Sequence, residues 1–151
     1  MIELTERAAV PPDLAPTLTL TRDQRGRARL RATLSDGREV AVRLPRGGVL
    51  RDGDGLASPD GLKVRVCAAA ETLSRVECAD PLALARACYH LGNRHVALQI
   101  EPGQVSYLHD HVLDAMLAGL GLGARVVEAP FEPESGAYGG SGHGHAHGHA
   151  D

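Results

Sequence analysis

DPLALARACYHLGNRHVALQIE, residues 80–101, decides how the second half of this chain folds. Asp80 can cap a helix with its carboxylate, and Pro81 fits the first helical position, where no N–H is needed. Leu84, Cys88 and Leu91 then recur at i, i+4 and i+7, and Gly92 stands where a helix C-terminus takes a left-handed residue. From Arg94 to Ile100 the period drops to two, with Val96, Leu98 and Ile100 facing inward and His95, Ala97 and Gln99 outward. Moving outward toward the C-terminus, Glu101-Pro102-Gly103-Gln104 fits a type II turn and Gln104–Leu108 returns as a strand. A helix over roughly 110–120 then aligns Val112, Leu113, Met116, Leu117 and Leu120 on one stripe. Arg125–Ala129 supplies a last strand. On the N-terminal side, Leu73–Cys78 reads as a strand. The order β-α-β-β-α-β predicts a split-βαβ, ferredoxin-like domain over 73–140.

Before residue 73 the pattern is that of an N-terminal all-β domain, so the fold class is α+β. RARLRATL, residues 27–34, alternates strictly, with Ala28, Leu30, Ala32 and Leu34 on one face and Arg27, Arg29, Arg31 and Thr33 on the other. EVAVRL, 39–44, puts Val40, Val42 and Leu44 on one face. Asp36-Gly37 between them is a strong two-residue hairpin signal. Short runs at Thr17–Thr21 and Leu62–Val66 extend the series. The arginine face reads as a solvated surface before it reads as a docking patch. At the other end, 141–151 has no aliphatic residue larger than Ala and cannot offset its ordering entropy, so a disordered His-rich tail is expected.

Composition narrows the functions. With 43% hydrophobic and 23% charged residues, the 151-residue chain can build a packed core. Aromatics make up 3%, and the net charge is -3. Both argue against nucleic-acid binding, which wants stacking platforms and a basic domain. The first twenty residues lack the basic start and apolar run of a secretion signal, and no apolar stretch approaches the roughly 18 residues needed to cross a bilayer. Cys67, Cys78 and Cys88 are odd in number and never spaced as CxxC, so neither a disulfide framework nor a zinc ribbon is expected. A cytoplasmic location with reduced thiols follows.

Histidine is unevenly placed: there are eight, and none precedes residue 90. Neutral imidazole suits nickel, copper and zinc, and with a pKa near 6.5 it is mostly unprotonated at neutral pH. His143, His145, His147 and His149 alternate with Gly and Ala, so a flexible chain can close two or more of them on one ion. A purification tag is the bland alternative, but tags run as consecutive histidines. His109-Asp110-His111 sits at a strand-to-helix junction, where Asp110 can cap the helix while both rings bind metal or stand merely exposed. His90, in the last turn of its helix, is either a cation favoured by the helix dipole or a further ligand. His95, on an outward strand face beside Ala97 and Gln99, could meet its own copy across a twofold axis and make a two-histidine site. Taken alone, a strand histidine more often has no such role.

Three motifs in order, CYHLGNRH (88–95), YLHDHVLD (107–114) and APFEPE (129–134), followed by a His-rich end, resemble the urease accessory protein UreE family of nickel metallochaperones. The likeness extends through the N-terminal hairpins. It implies an N-terminal β-domain of peptide- or partner-binding type over 1–72, a metal-binding domain, and a homodimer formed through that second domain. It makes His95 the principal nickel ligand, shared across the dimer. His109 and His111 resemble secondary sites, and the tail histidines storage or additional ligands. The implied cargo is Ni(II), with Zn(II) or Cu(II) able to occupy the same sites in vitro. The implied partners are the urease accessory GTPase and, through it, the urease apoprotein, with no nucleic acid and no membrane.

The resemblance points to a carrier, not an enzyme. A passive metal store or sensor is compatible with the residues. A metal-dependent hydrolase fits less well: there is no HExxH, and no carboxylate is obviously paired with the histidines as a general base. Nickel as cargo rests on the resemblance, because copper should bind such donors at least as tightly.

Overall fold

The computed structural model describes residues 1–136. Within them the chain divides into two compact units, one built on Met1–Ala69 and the other on Ala70–Glu134. The expected tail, 141–151, lies outside the described residues.

The first unit contains β1 (Ile2–Leu4), β2 (Glu6–Ala8), β3 (Thr17–Leu20), α1 (Arg22–Arg25), β4 (Arg29–Thr33), β5 (Glu39–Arg43), β6 (Gly55–Ala57) and β7 (Lys63–Ala68). They form a three-stranded sheet ordered β1-β5-β4 and a four-stranded sheet ordered β2-β6-β7-β3. The alternation in β4 and β5 is what the sheet uses. Leu30 pairs with Val42 and Ala32 with Val40, so the inward faces meet in register. Leu4, Leu18, Leu34, Val40, Val42 and Val64 are among the side chains fully enclosed in this core, each worth roughly 1.5–3 kcal/mol of burial.

Two expectations for this unit change. The β4–β5 connection has three residues, not two. Leu34 N–H bonds to the Arg38 carbonyl at 2.8 Å and Gly37 N–H to the Leu34 carbonyl at 2.9 Å. Gly37 has φ +93°, so it supplies the left-handed residue that closes a type I turn in a three-residue hairpin. The unit is also not purely β. Thr21, expected to end a strand, is the N-cap of α1: it accepts from Gln24 N–H while the Gln24 side chain accepts from Thr21 N–H. That reciprocal pair is a capping box and diverts the chain into a helical turn. The turn carries Arg25 into the interior, where Nε donates to the Leu20 carbonyl and a terminal guanidinium nitrogen to the Leu50 carbonyl, at 3.3 and 3.2 Å.

The second unit contains β8 (Ala70–Glu77), α2 (Pro81–Gly92), β9 (Gln99–Glu101), β10 (Gln104–Leu108), α3 (His111–Gly119) and β11 (Ala124–Pro130). Its four-stranded sheet is ordered β11-β8-β10-β9, and every neighbouring pair is antiparallel. The helices lay Ala87, Leu91, Leu113 and Leu117 against Val76, Val105 and Tyr107. Asp80 and Asp110 cap the helices as their positions suggest: Asp80 accepts from Leu82 N–H, and Asp110 from Val112 and Leu113 N–H. Gly103, φ +76°, turns β9 into β10.

Three expectations for this unit are corrected. Gly92 does not end α2 in a left-handed conformation. It remains helical, and two successive tight turns follow, Arg94 N–H to Leu91 carbonyl and His95 N–H to Gly92 carbonyl. The left-handed residue is His95, φ +58°. Because residues 93–95 are consumed in leaving the helix, the strand begins only at Gln99 and His95 is not on a strand face. Finally, Ile100, expected to face inward, is 41% exposed, and Val112 and Leu120, expected on one apolar stripe with the buried Leu113 and Leu117, are 51% and 45% exposed. The apolar stripe of α3 is wider than the strip that its sheet covers.

Candidate metal centre

Two chain segments carry the described histidines. The first is the end of α2. His90 lies in its last turn, half-buried, with its ring edge-on to Tyr89 at 5.2 Å and 84°. His95 follows after the two tight turns and is exposed. A left-handed conformation is uncommon for a residue with a Cβ, and it aims this imidazole away from the direction that helix or strand would give it.

The second segment is the β10–α3 junction. His109 continues β10 by one residue, its N–H donating to the Thr72 carbonyl at 3.0 Å. His111 is the first residue of α3 and is exposed. Asp110 between them is extended, φ -153° and ψ 112°, and its carboxylate is committed to the helix N-terminus. Of the two readings open for this triplet, the cap is therefore present, and it leaves both imidazoles available.

His109 has partners that the linear pattern did not suggest. Its Nδ1 lies 3.0 Å from Ser74 Oγ and 3.4 Å from Asp114 Oδ2. Tyr107, opposite Ser74 in the β8–β10 ladder, donates its hydroxyl to Asp114 Oδ1 at 2.6 Å. Ser74 and Tyr107 are buried. Burial first, then the hydrogen bond to Asp114, pushes the Tyr107 phenol well above its ordinary range, so it stays a hydroxyl. A tyrosine whose hydroxyl must find a partner once buried was the available signal; Ser74, between Leu73 and Arg75 in the mixed sequence of β8, gave none. Asp114 had none, since it meets His109 only through the fold.

Desolvation raises the pKa of the Cys78 thiol, with Asp80 adding to it, and desolvation raises that of Cys88, with Cys78 adding. Both are therefore held as thiols, and thiolate is the form that ligates metal. Among the described residues of one chain, no three His, Cys, Asp or Glu side chains come together in a group able to hold a metal ion. His95 and the His109–His111 pair are thus brought to exposed positions but not into one complete coordination sphere. His143, His145, His147 and His149 lie outside the described residues.

Two family models match nearly the whole chain: UreE urease accessory protein, N-terminal domain, over residues 2–69, and UreE urease accessory protein, C-terminal domain, over residues 71–151. Among curated relatives, the urease accessory protein UreE of Alkalilimnicola ehrlichii is 61% identical over 140 residues, covering 93% of this chain and 86% of its own length. The protein of that name from Pseudomonas putida strain GB-1 is 57% identical, covering 95% and 88%. The one from Escherichia coli O157:H7 is 50% identical, covering 95% and 94%.

Proposed function

The chain belongs to the UreE urease accessory protein family, and from that premise we propose that it is a metallochaperone, not an enzyme, which binds Ni(II) through histidines and delivers it for assembly of the urease active site. The observation that carries this reading is the family match over both units, with His95, His109 and His111 at exposed positions in the second. In this reading His95 is the principal ligand and is completed by the His95 of a second copy, because one imidazole cannot hold an ion tightly. The lack of a complete donor group among the described residues of one chain supports sharing. So does the apolar surface left on the second unit by Tyr89, Ile100 and Val112, which is the chemistry of a covered interface.

His109 and His111 serve as secondary ligands and His90 as a possible further one. His143, His145, His147 and His149 raise the local donor concentration beside the fixed site. Zn(II) and Cu(II) compete for the same imidazoles in vitro. The second unit is read as a ferredoxin-like metal-binding domain, supported by its strand order β11-β8-β10-β9. The N-terminal unit is read as the partner-binding domain. The recipient is the urease accessory GTPase and, through it, the urease apoprotein, in the cytoplasm. No helix of the described residues is long and apolar enough to cross a membrane.

Sites of few, exposed imidazoles suit delivery better than storage, since a partner can approach and replace one ligand at a time. The test is activation of urease apoprotein with its GTPase, using nickel supplied either on this chain or free in the presence of a competing chelator. The chaperone reading expects activation only from nickel carried on the chain. Equal activation by both supplies contradicts delivery and leaves a passive store.

A further inference from the structure

We propose that Asp114, Tyr107 and Ser74 act as positioning residues that hold His109 in a single tautomer, with the proton on Nδ1 and the Nε2 lone pair left free for a cation. The consequence for metal rests on the reading of His109 as a ligand; the tautomer itself rests on hydrogen-bond bookkeeping within one chain.

A carboxylate has no proton to give, so the 2.6 Å contact between Tyr107 and Asp114 Oδ1 fixes Tyr107 as donor. Ser74, directly across the β8–β10 ladder from Tyr107, has its Oγ 3.0 Å from His109 Nδ1, and a hydroxyl there can donate or accept. Asp114 decides between the two. Its Oδ2 lies 3.4 Å from Nδ1, where an N–H is attracted and a bare lone pair is repelled. Ser74 and Tyr107 have relative exposures of 0% and 1%, so water does not replace these contacts. A neutral imidazole carries one N–H and one lone pair, and a proton pinned on Nδ1 leaves Nε2 as the metal donor. The carboxylate thus fixes the donor in both of its contacts, the Tyr107 hydroxyl and the His109 Nδ1–H, and leaves Ser74 to accept from the ring.

The experiment is nitrogen-15 NMR of the His109 ring in the metal-free, full-length chain at mildly alkaline pH, followed by nickel titration. The expected result is the Nδ1–H tautomer in the unaltered chain. Asp114→Asn, which removes the charge facing Nδ1, and Tyr107→Phe, which removes the hydroxyl that holds the Asp114 carboxylate in place, should each raise the Nε2–H share. Each should also weaken His109-dependent nickel binding by about 10–100-fold, the usual effect of losing an outer-shell partner. An Nε2–H or evenly mixed ring in the unaltered chain overturns the proposal, and that measurement needs no variant to fold. A locked Nδ1–H ring whose Nε2 signal ignores nickel upholds the positioning and instead defeats the reading of His109 as a ligand.

Discussion

Replacing His95 with glycine should strengthen the fold while removing the proposed nickel ligand. His95 is exposed and sits at φ +58°, so truncating its side chain gives up little packing. A left-handed conformation costs a residue with a Cβ about 1–2 kcal/mol. Glycine escapes that cost but gives back roughly 0.5–1 kcal/mol through the greater freedom of its unfolded chain. The net expectation for His95→Gly is a gain of about 0.5–1 kcal/mol, or a rise of about 2–8 °C in Tm for a unit of this size. His95→Ala keeps the strain and should be close to neutral. His95→Val, β-branched, should lose about 1 kcal/mol. Denaturant unfolding of the metal-free proteins, compared at equal slope, gives the ranking Gly above His and Ala, with Val lowest. A glycine variant less stable than the parent by 1 kcal/mol would falsify the strain argument. The claim that the backbone is held in a costly state in order to present an imidazole would go with it.

Three further outcomes follow from other parts of the molecule. The Tyr107 phenol is raised in the folded state, chiefly by burial; its contribution is intact below the unfolded pKa near 10 and declines as pH climbs beyond it, because only the unfolded chain then loses the proton. Unfolding midpoints measured from about pH 8 to 11 should therefore fall less steeply for Tyr107→Phe than for the parent, and parallel curves would count against the assignment. Arg25→Met should destabilise the first unit by about 3 kcal/mol, since the Leu20 and Leu50 carbonyls each lose a buried donor, while nickel binding by the intact chain stays unchanged. A Cβ at Gly55 would overlap the Ala8 carbonyl oxygen and the Val10 side chain, so Gly55→Ala should cost about 2–3 kcal/mol by overpacking in the same unfolding assay.

Periodicity made most of the elements legible, and local chemistry decided the rest. The β4–β5 pairing and both helices of the second unit follow from alternation, apolar spacing and the caps at Asp80 and Asp110. The strands Ile2–Leu4, Glu6–Ala8 and Gly55–Ala57 are three residues each, too short to carry a period. Helix α1 was readable from Thr21 and Gln24, but a capping box without an apolar run behind it is easily taken for the end of a strand. His95 was misplaced because alternation in residues 94–100 looks the same whether a strand uses it or a turn interrupts it. The candidate histidines themselves were plain from their crowding after residue 90. Their supporting hydrogen bonds were not, because Ser74, Tyr107 and Asp114 converge on His109 only once β8, β10 and α3 are packed together.

Calorimetric titration of Ni(II), with the oligomeric state followed in parallel, tests the central claim most directly. The parent chain is predicted to take up one tightly held ion per two chains. His95→Ala should abolish that ion, and removal of 141–151 should spare it while reducing weaker uptake. A chain that stays monomeric with nickel present and binds none at neutral pH contradicts the account, as does a tight ion that survives His95→Ala.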